Sequence, residues 1–335
     1  MMNDNDSSNP APATPSGHKP DAVLVLGEAL VDLFDSGPQA GGAPFNVASS
    51  LAALQVPVTF IIRLGDNDPW AEVLLHSARD FGLGRQGFQT DALRPTGTVQ
   101  VVQKGAAHSF RIAADAAWDY IDAAQARVVL DAIPPPAFVY FGTLAQRHVV
   151  SRKTIREVLC ATSAVRYLDL NLRDGPDNRR LAEESLELAD WVKVNDEELM
   201  QLLAWQGGAS MHSEKWDSPA FQRGVTSLVE RFQLQRLIVT RGPHGYASFD
   251  AAGRCEAEGA GIDVAQVVDT VGAGDGFSAM LLACQLAGRT LPWSLALANE
   301  YAAAICAHRG PMTQNLQTYA AWRKRLGAST TCNAI

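Results

Sequence analysis

Short apolar-rich runs recur along the chain at residues 23–26, 58–62, 138–141, 165–170, 191–194 and 237–240, each too brief for a helix. Runs of this kind, apolar at consecutive positions rather than alternate ones, are strands buried on both faces. Longer helix-like stretches separate them, at residues 45–54, 70–80, 152–163, 195–205, 226–232, 276–287 and 293–308. Strand and helix alternating in this way predict crossover units, and hence an α/β fold with a central, mostly parallel sheet flanked by helices. One segment departs from the alternation. Residues 96–102 and 108–112 flank Lys104-Gly105-Ala106-Ala107 and read as a β-hairpin, a flap beside the main sheet. No internal repeat is visible.

Composition agrees with a folded enzyme-sized chain. With 335 residues, 47% apolar and 19% charged, it can bury a substantial core. A net charge of -8, with 28 basic residues spread along the sequence, argues against nucleic acid or an anionic membrane as the main partner. The five cysteines are scattered without a Cys-x-x-Cys pair, so neither a disulfide framework nor a zinc site is indicated. A reducing cytoplasm is the expected compartment. Residues 1–20 are polar and Pro-rich with no signal-like segment and are expected to form a disordered tail; residues 326–335 are read as a C-terminal tail. No stretch reaches the roughly 18 apolar residues of a membrane span.

The place to look for chemistry is Asp269-Thr270-Val271-Gly272-Ala273-Gly274-Asp275-Gly276-Phe277, a glycine-rich turn opening into an apolar helix. Free amides at such a helix start can point together at a phosphate. Asp275 is out of place in a simple anion site, because a carboxylate repels phosphate. It makes sense as a base that takes the proton of an alcohol while neighbouring amides hold the phosphoryl oxygens. The competing structural reading is an ordinary first-turn acid. No Gly-x-x-x-x-Gly-Lys-Ser/Thr occurs, so a P-loop is not expected. Gly82-Leu83-Gly84-Arg85-Gln86-Gly87 fits a dinucleotide fingerprint in spacing but follows a helix-like run, and it reads as a helix stop before a strand.

Polar residues that follow the predicted strands are candidates for one shared cleft, because ligands of open parallel sheets bind at strand carboxyl ends. Asp32 and Asn46, with the bare backbone at Gly41 and Gly42, suit a polyol, though taken alone a turn acid and a first-turn helix residue are the simpler readings. Asn195 and Glu198 have capping-box spacing; a water-mediated Mg²⁺ and phosphate site is the functional alternative. Thr240-Arg241-Gly242-Pro243-His244-Gly245 is either a phosphate-binding turn or a hairpin turn.

Taken together and in this order, these motifs resemble the PfkB, or ribokinase-like, family of carbohydrate kinases over about residues 23–310. Gly41-Gly42-Ala43-Pro44-Phe45-Asn46-Val47-Ala48 is similar to the family's first signature and residues 269–277 to its second. Asn195-Asp196-Glu197-Glu198 fits its Asn-x-x-Glu. The resemblance implies a single kinase domain at 21–325 with a small β-sheet lid from segments near 29–36 and 96–112. It implies Asp275 as base and Gly272, Ala273 and Gly274 as the anion hole. Sugar contacts would fall to Asp32, Gly41, Gly42, Asn46, Arg111 and Arg173. The nucleotide would meet Asn195, Thr240, Gly242, Gly245, Asn299 and Ala303, with Asn195 and Glu198 serving Mg²⁺. The implied ligands are ATP, Mg²⁺ and a small-molecule sugar; a monovalent cation such as K⁺ and a homodimer through the lid are left open.

Gly27-Glu28-Ala29-Leu30-Val31-Asp32 and Asp169-Leu170-Asn171-Leu172-Arg173 look most like the fructokinase branch, with 2-keto-3-deoxygluconate kinases next. One departure is local: Arg173 is followed by Asp174-Gly175-Pro176 where the family commonly has a Trp a few residues on. A non-catalytic sugar sensor would have lost the base or the anion hole, and both are intact.

Overall fold

The computed structural model describes residues 22–34, 37–104, 107–173, 175, 177–207, 216, 218–313 and 315–327. Its strands are β1 (Val23–Leu26), β2 (Leu30–Phe34), β3 (Gly37–Gly41), β4 (Val58–Gly65), β5 (Phe88–Asp91), β6 (Gly97–Lys104) and β7 (Ala107–Ile112). They continue as β8 (Phe138–Gly142), β9 (Val165–Asp169), β10 (Trp191–Asn195), β11 (Arg236–Thr240), β12 (Tyr246–Asp250) and β13 (Cys255–Gly259). The helices in the first half are α1 (Ala43–Ala53), α2 (Pro69–Asp80), α3 (Ala123–Ala132), α4 (Val149–Cys160) and α5 (Asn178–Leu186). Those in the second are α6 (Asp196–Gly207), α7 (Pro219–Phe232), α8 (Ala273–Leu286), α9 (Leu291–Ile305) and α10 (Leu316–Gly327).

Nine strands form one sheet in the order β13-β12-β11-β10-β9-β8-β1-β4-β5. All neighbours from β11 to β5 run parallel, and only β12 and β13 are antiparallel. The apolar runs explain why. In β1, Val23 and Val25 enter the core beneath α1 and α8, while Leu24 and Leu26 enter the second core on the opposite face. Leu24, Val25 and Leu26 are 0% exposed, so a Leu24→Ala cavity would cost about 2–5 kcal/mol. The chain leaves β1 toward β4 and β5 on one side and toward β8 and β9 on the other, which makes β1/β8 the topological switch point.

A second sheet, β3-β2-β6-β7, lies apart from the first, with β2 and β6 parallel and its outer pairs antiparallel. The expected hairpin is β6/β7; Gly105 and Ala106 of its turn lie outside the described residues, as do residues 35 and 36 of the expected lid segment. β3 was not anticipated, because Gly37-Pro38-Gln39-Ala40-Gly41 carries no apolar alternation and pairs only through its backbone with β2.

Several boundaries move. The helix expected at 226–232 begins at Pro219, where Ser218 caps it by accepting from the Phe221 amide at 3.0 Å. The helix expected from 152 begins at Val149, and α10 runs to Gly327, inside the segment read as a tail. Gly82 does end α2, in a left-handed conformation with φ 75°, ahead of β5. Residues 1–20 lie outside the described residues. Among the described residues no helix is long and apolar enough to cross a membrane.

Candidate active site

The carboxyl ends of β1, β8, β9, β10 and β11 face the first turn of α8 across a cleft of about 1080 Å³. That is large enough for two ligands side by side. Its floor is the α8 N-terminus. Gly272 sits before the helix at φ 80°, where any Cβ would strike Pro311, and offers no side chain to cap the first turn. Of the expected Gly272–Gly274 anion hole, the Ala273 amide is spent on the Thr270 carbonyl at 3.3 Å, so the amides at Gly274 and Asp275 are the ones available to an anion, favoured further by the helix dipole.

Asp275 lies on that first turn and faces the cleft. Its Oδ2 accepts from Asn46 Nδ2 at 2.7 Å. Burial pushes its carboxyl up to about 6, with the Asp169 charge adding to the rise and the Asn46 hydrogen bond, Lys193 and Arg173 opposing it. A carboxylate so poised is ionised at neutral pH and still basic enough to accept a proton.

On the lid side, Asp32 of β2 lines the cleft, its carboxyl raised to about 6 by burial against a lowering pull from Arg173. Gly41 lies diagonally across on β3, where a Cβ would be 2.5 Å from Asp32 Oδ2, so the glycine makes room for the carboxylate. Gly42, at φ 101°, starts α1 and brings Asn46 round to the cleft. Glu28, directly after β1, is only 2% exposed, and its carboxyl is raised to about 7, chiefly by burial. Glu28 Oε2 and Asn46 Oδ1 are buried acceptors without a protein partner.

On the opposite side, the capping-box reading of the Asn195 turn is realised. Asn195 Oδ1 accepts from the Glu198 amide at 2.7 Å and Glu198 Oε2 from the Asn195 amide at 2.8 Å, a reciprocal capping box. Glu198 Oε1 also accepts from the Leu172 amide at 2.8 Å, and burial raises this carboxyl. Among the described residues no cluster of three or more His, Cys, Asp or Glu side chains could hold a metal ion. Thr240 ends β11, and Gly242 and Gly245 form the β11/β12 turn, which is a hairpin; Gly245, at φ 92°, packs where a Cβ would strike Gly259. Asn299 and Ala303 of α9 line the same end of the cleft, with Asn299 Nδ2 donating to the Ala260 carbonyl at 3.0 Å.

The cleft thus gathers Asp32, Gly42, Asn46, Arg173, Asn195, Glu198, Thr240, Gly242, Gly245, Gly272, Ala273, Gly274, Asp275, Asn299 and Ala303. Two expected residues are not among its lining. Gly41 acts behind Asp32, and Arg111, whose side chain is exposed on the edge strand β7, lies outside the lining while its neighbour Ile112 lines the cleft. The strand's period of two explains the correction: adjacent residues face opposite ways. Glu28, Asp169 and Lys193 line the cleft without having been singled out. A lysine within an apolar-rich run was the one signal in sequence for Lys193; its partner Asp169 emerges from the β9/β10 register.

A large, mostly parallel sheet flanked by helices, with a separate small sheet beside it, is the ribokinase-like fold. The pfkB family carbohydrate kinase pattern matches residues 28–318, and the chain belongs to that family. A fructokinase from Klebsiella pneumoniae is 32% identical over 292 residues, 82% of this chain and 87% of that relative. A fructokinase from Escherichia coli is 29% identical over 281 residues, 78% of this chain and 83% of the other. Among solved structures, a double-mutant fructokinase from Vibrio cholerae in fructose-, ADP- and potassium-bound form superposes with a TM-score of 0.73 at 23% identity, covering 90% of this chain and 97% of that one. Fructokinase with bound ATP from Xylella fastidiosa gives a TM-score of 0.71 at 22% identity, covering 90% and 99%. At these identities the superpositions establish the shared fold.

Proposed function

We propose that the protein transfers the γ-phosphoryl group of MgATP to a primary hydroxyl of fructose. The observation that carries the sugar half of this reading is the pair of buried, unpartnered acceptors, Glu28 Oε2 and Asn46 Oδ1, on the same cleft wall as Asp32. A buried acceptor without a donor is costly, so the site calls for a ligand rich in hydroxyl donors. Four carboxyls (Glu28, Asp32, Asp169 and Asp275) against two cations, Arg173 and Lys193, favour a neutral polyol over a sugar acid. The Klebsiella and E. coli relatives, both fructokinases, support the same choice.

In the proposed reaction the sugar lies between the lid sheet and α8, with its hydroxyl on Asp275. Asp275 takes the hydroxyl proton as the oxygen attacks phosphorus, and the amides of Gly274 and Asp275 hold the phosphoryl oxygens as their charge develops. Thr240, Gly242 and Gly245 border the polyphosphate, and Asn299 and Ala303 border the base. Mg²⁺, when bound, neutralises charge on the phosphates; Glu198 would hold it through water. Because Asp275 must be ionised, the rate falls as pH drops through about 6.

A 2-keto-3-deoxygluconate kinase is the second reading, favoured by Arg173, a guanidinium facing the cleft where it could pair with a sugar carboxylate. A panel of fructose, other neutral sugars and 2-keto-3-deoxygluconate, read by coupled ADP release with and without K⁺, separates the two. Efficient turnover of fructose supports the proposal; inert ketoses with a rapidly phosphorylated acid would replace it by the second reading.

A further inference from the structure

Beneath the first turn of α8 lies a buried ion pair to which neither ligand has been assigned. Lys193 and Asp169 are register partners on β10 and β9, and Nζ stands 2.8 Å from both carboxylate oxygens. The two side chains are 8% and 2% exposed. Asp169 Oδ2 also accepts from Ser278 Oγ at 3.0 Å and from the Tyr140 hydroxyl at 3.3 Å, and Ser278 Oγ lies 3.2 Å from the Tyr167 hydroxyl. Ser278 is three residues beyond Asp275 and so shares its face of α8. A Cβ on Gly274 would sit 3.1 Å from Lys193 Nζ, which places the ammonium directly against the backbone of the anion site.

Stability alone is a poor explanation of such a pair, since well-packed apolar side chains generally hold a core as well or better. Its position supplies another. The charged and titratable groups facing Asp275 are Glu28 from the end of β1, Asp169 from β9, Arg173 from the loop after it, Lys193 from β10 and Tyr140 from β8; Asn46 of α1 adds a hydrogen bond. Of these, Lys193 and Asp169 form a couple of opposite sign against α8, Lys193 beside the Gly274 backbone and Asp169 bonded to Ser278.

We infer that the Lys193–Asp169 pair is the charge-setting device of this site, Lys193 holding Asp275 in the anionic form that takes the hydroxyl proton and Asp169 moderating that pull. Both are positioning residues, and the inference rests on Asp275 being the base. The direction of each influence on the Asp275 carboxyl agrees: Asp169 raises it and Lys193 lowers it.

The test is the pH dependence of kcat/KM for fructose, at saturating MgATP, in the wild type, Lys193→Met, Asp169→Asn and the double variant. Removing the cation moves the acid limb up by about one pH unit, removing the anion moves it down by about as much, and the double variant returns close to the wild type. A purely structural pair would lower rate or melting temperature in both single variants with the limb unmoved. Limbs that stay put, or that move in the same direction, overturn the inference. If Lys193→Met does not fold, Asp169→Asn and the double variant decide, by a downward shift in the first that the second reverses. Asp275→Ala, run alongside, keeps the two ideas apart: retained turnover there removes the base itself, whereas lost turnover with unmoved limbs removes only the role of the pair.

Discussion

Asn46 and Asp275 meet across the cleft at 2.7 Å although 229 positions separate them in sequence, the amide of α1 donating to the carboxylate of α8. The contact joins the two signature segments into one site. It also gives Asn46 a part beyond the sugar contact expected of it, because one N–H of its amide holds the proposed base while Oδ1 is left without a protein partner. A hydrogen bond to an ionised carboxylate favours the ionised form, so its loss raises the proton affinity of Asp275. Asn46→Ala is expected to shift the acid limb of the pH–rate profile upward and to reduce the rate at about pH 6 by roughly 10-fold or more, with a smaller loss at about pH 8. Equal losses at both values would confine Asn46 to substrate contact.

Asp32 occupies the lid sheet, with Gly41 leaving space behind its carboxylate. Closure of the lid would carry it onto a sugar hydroxyl and exclude water that competes for the phosphoryl group. A hydrogen bond to a charged group is worth about 1.5–3 kcal/mol, so Asp32→Ala should lower kcat/KM for fructose roughly 10- to 200-fold. The KM for ATP should barely move. Steady-state kinetics with each substrate varied in turn measures both.

Glu28 offers a test that needs no activity. Its carboxyl is raised from 4.5 to about 7, chiefly by burial, so the folded state binds its proton more tightly than the unfolded chain does. The resulting stability is fully present below about 4.5 and is lost as pH rises through about 7. The span corresponds to on the order of 3 kcal/mol. Glu28→Gln should therefore unfold at a higher temperature than the wild type at about pH 8, with the advantage shrinking toward about pH 5. Parallel melting curves across that range would show that the carboxyl is ionised throughout in the folded protein.

Glu198 has both oxygens on backbone amides, which orients the carboxylate toward the cleft as well as capping α6. If it also organises Mg²⁺ through water, Glu198→Gln raises the Mg²⁺ concentration needed for half-maximal rate while the fold is kept. An unchanged Mg²⁺ titration leaves the capping role alone.

Much of this site was legible because its chemistry is local in sequence. A glycine-rich turn, a helix start and a carboxylate are contiguous at residues 269–277, and the structure sets them at the N-terminus of α8 as their spacing predicts. The six buried strands were legible for a similar reason, their apolar runs matching β1, β4, β8, β9, β10 and β11. What stayed hidden depends on pairing between distant segments. Lys193 was absorbed into an apolar run because only the β9/β10 register reveals the Asp169 opposite it. Glu28 reads as a loop acid until the fold buries it with one oxygen unpartnered. β3 and β13 lack the apolar signal of buried strands, being edge strands formed by backbone pairing, and Arg111, expected as a sugar contact, lies on the face of β7 opposite to the cleft-lining Ile112.

The central claim is that Asp275 accepts the proton of the attacking hydroxyl, and single-turnover phosphoryl transfer by Asp275→Asn, set beside ATP binding by the same protein, tests it most directly. The substitution keeps shape and removes the base. The account predicts a rate lower by roughly 10²-fold or more with ATP affinity close to the wild-type value. Transfer to fructose at near wild-type rate by the folded variant would contradict it.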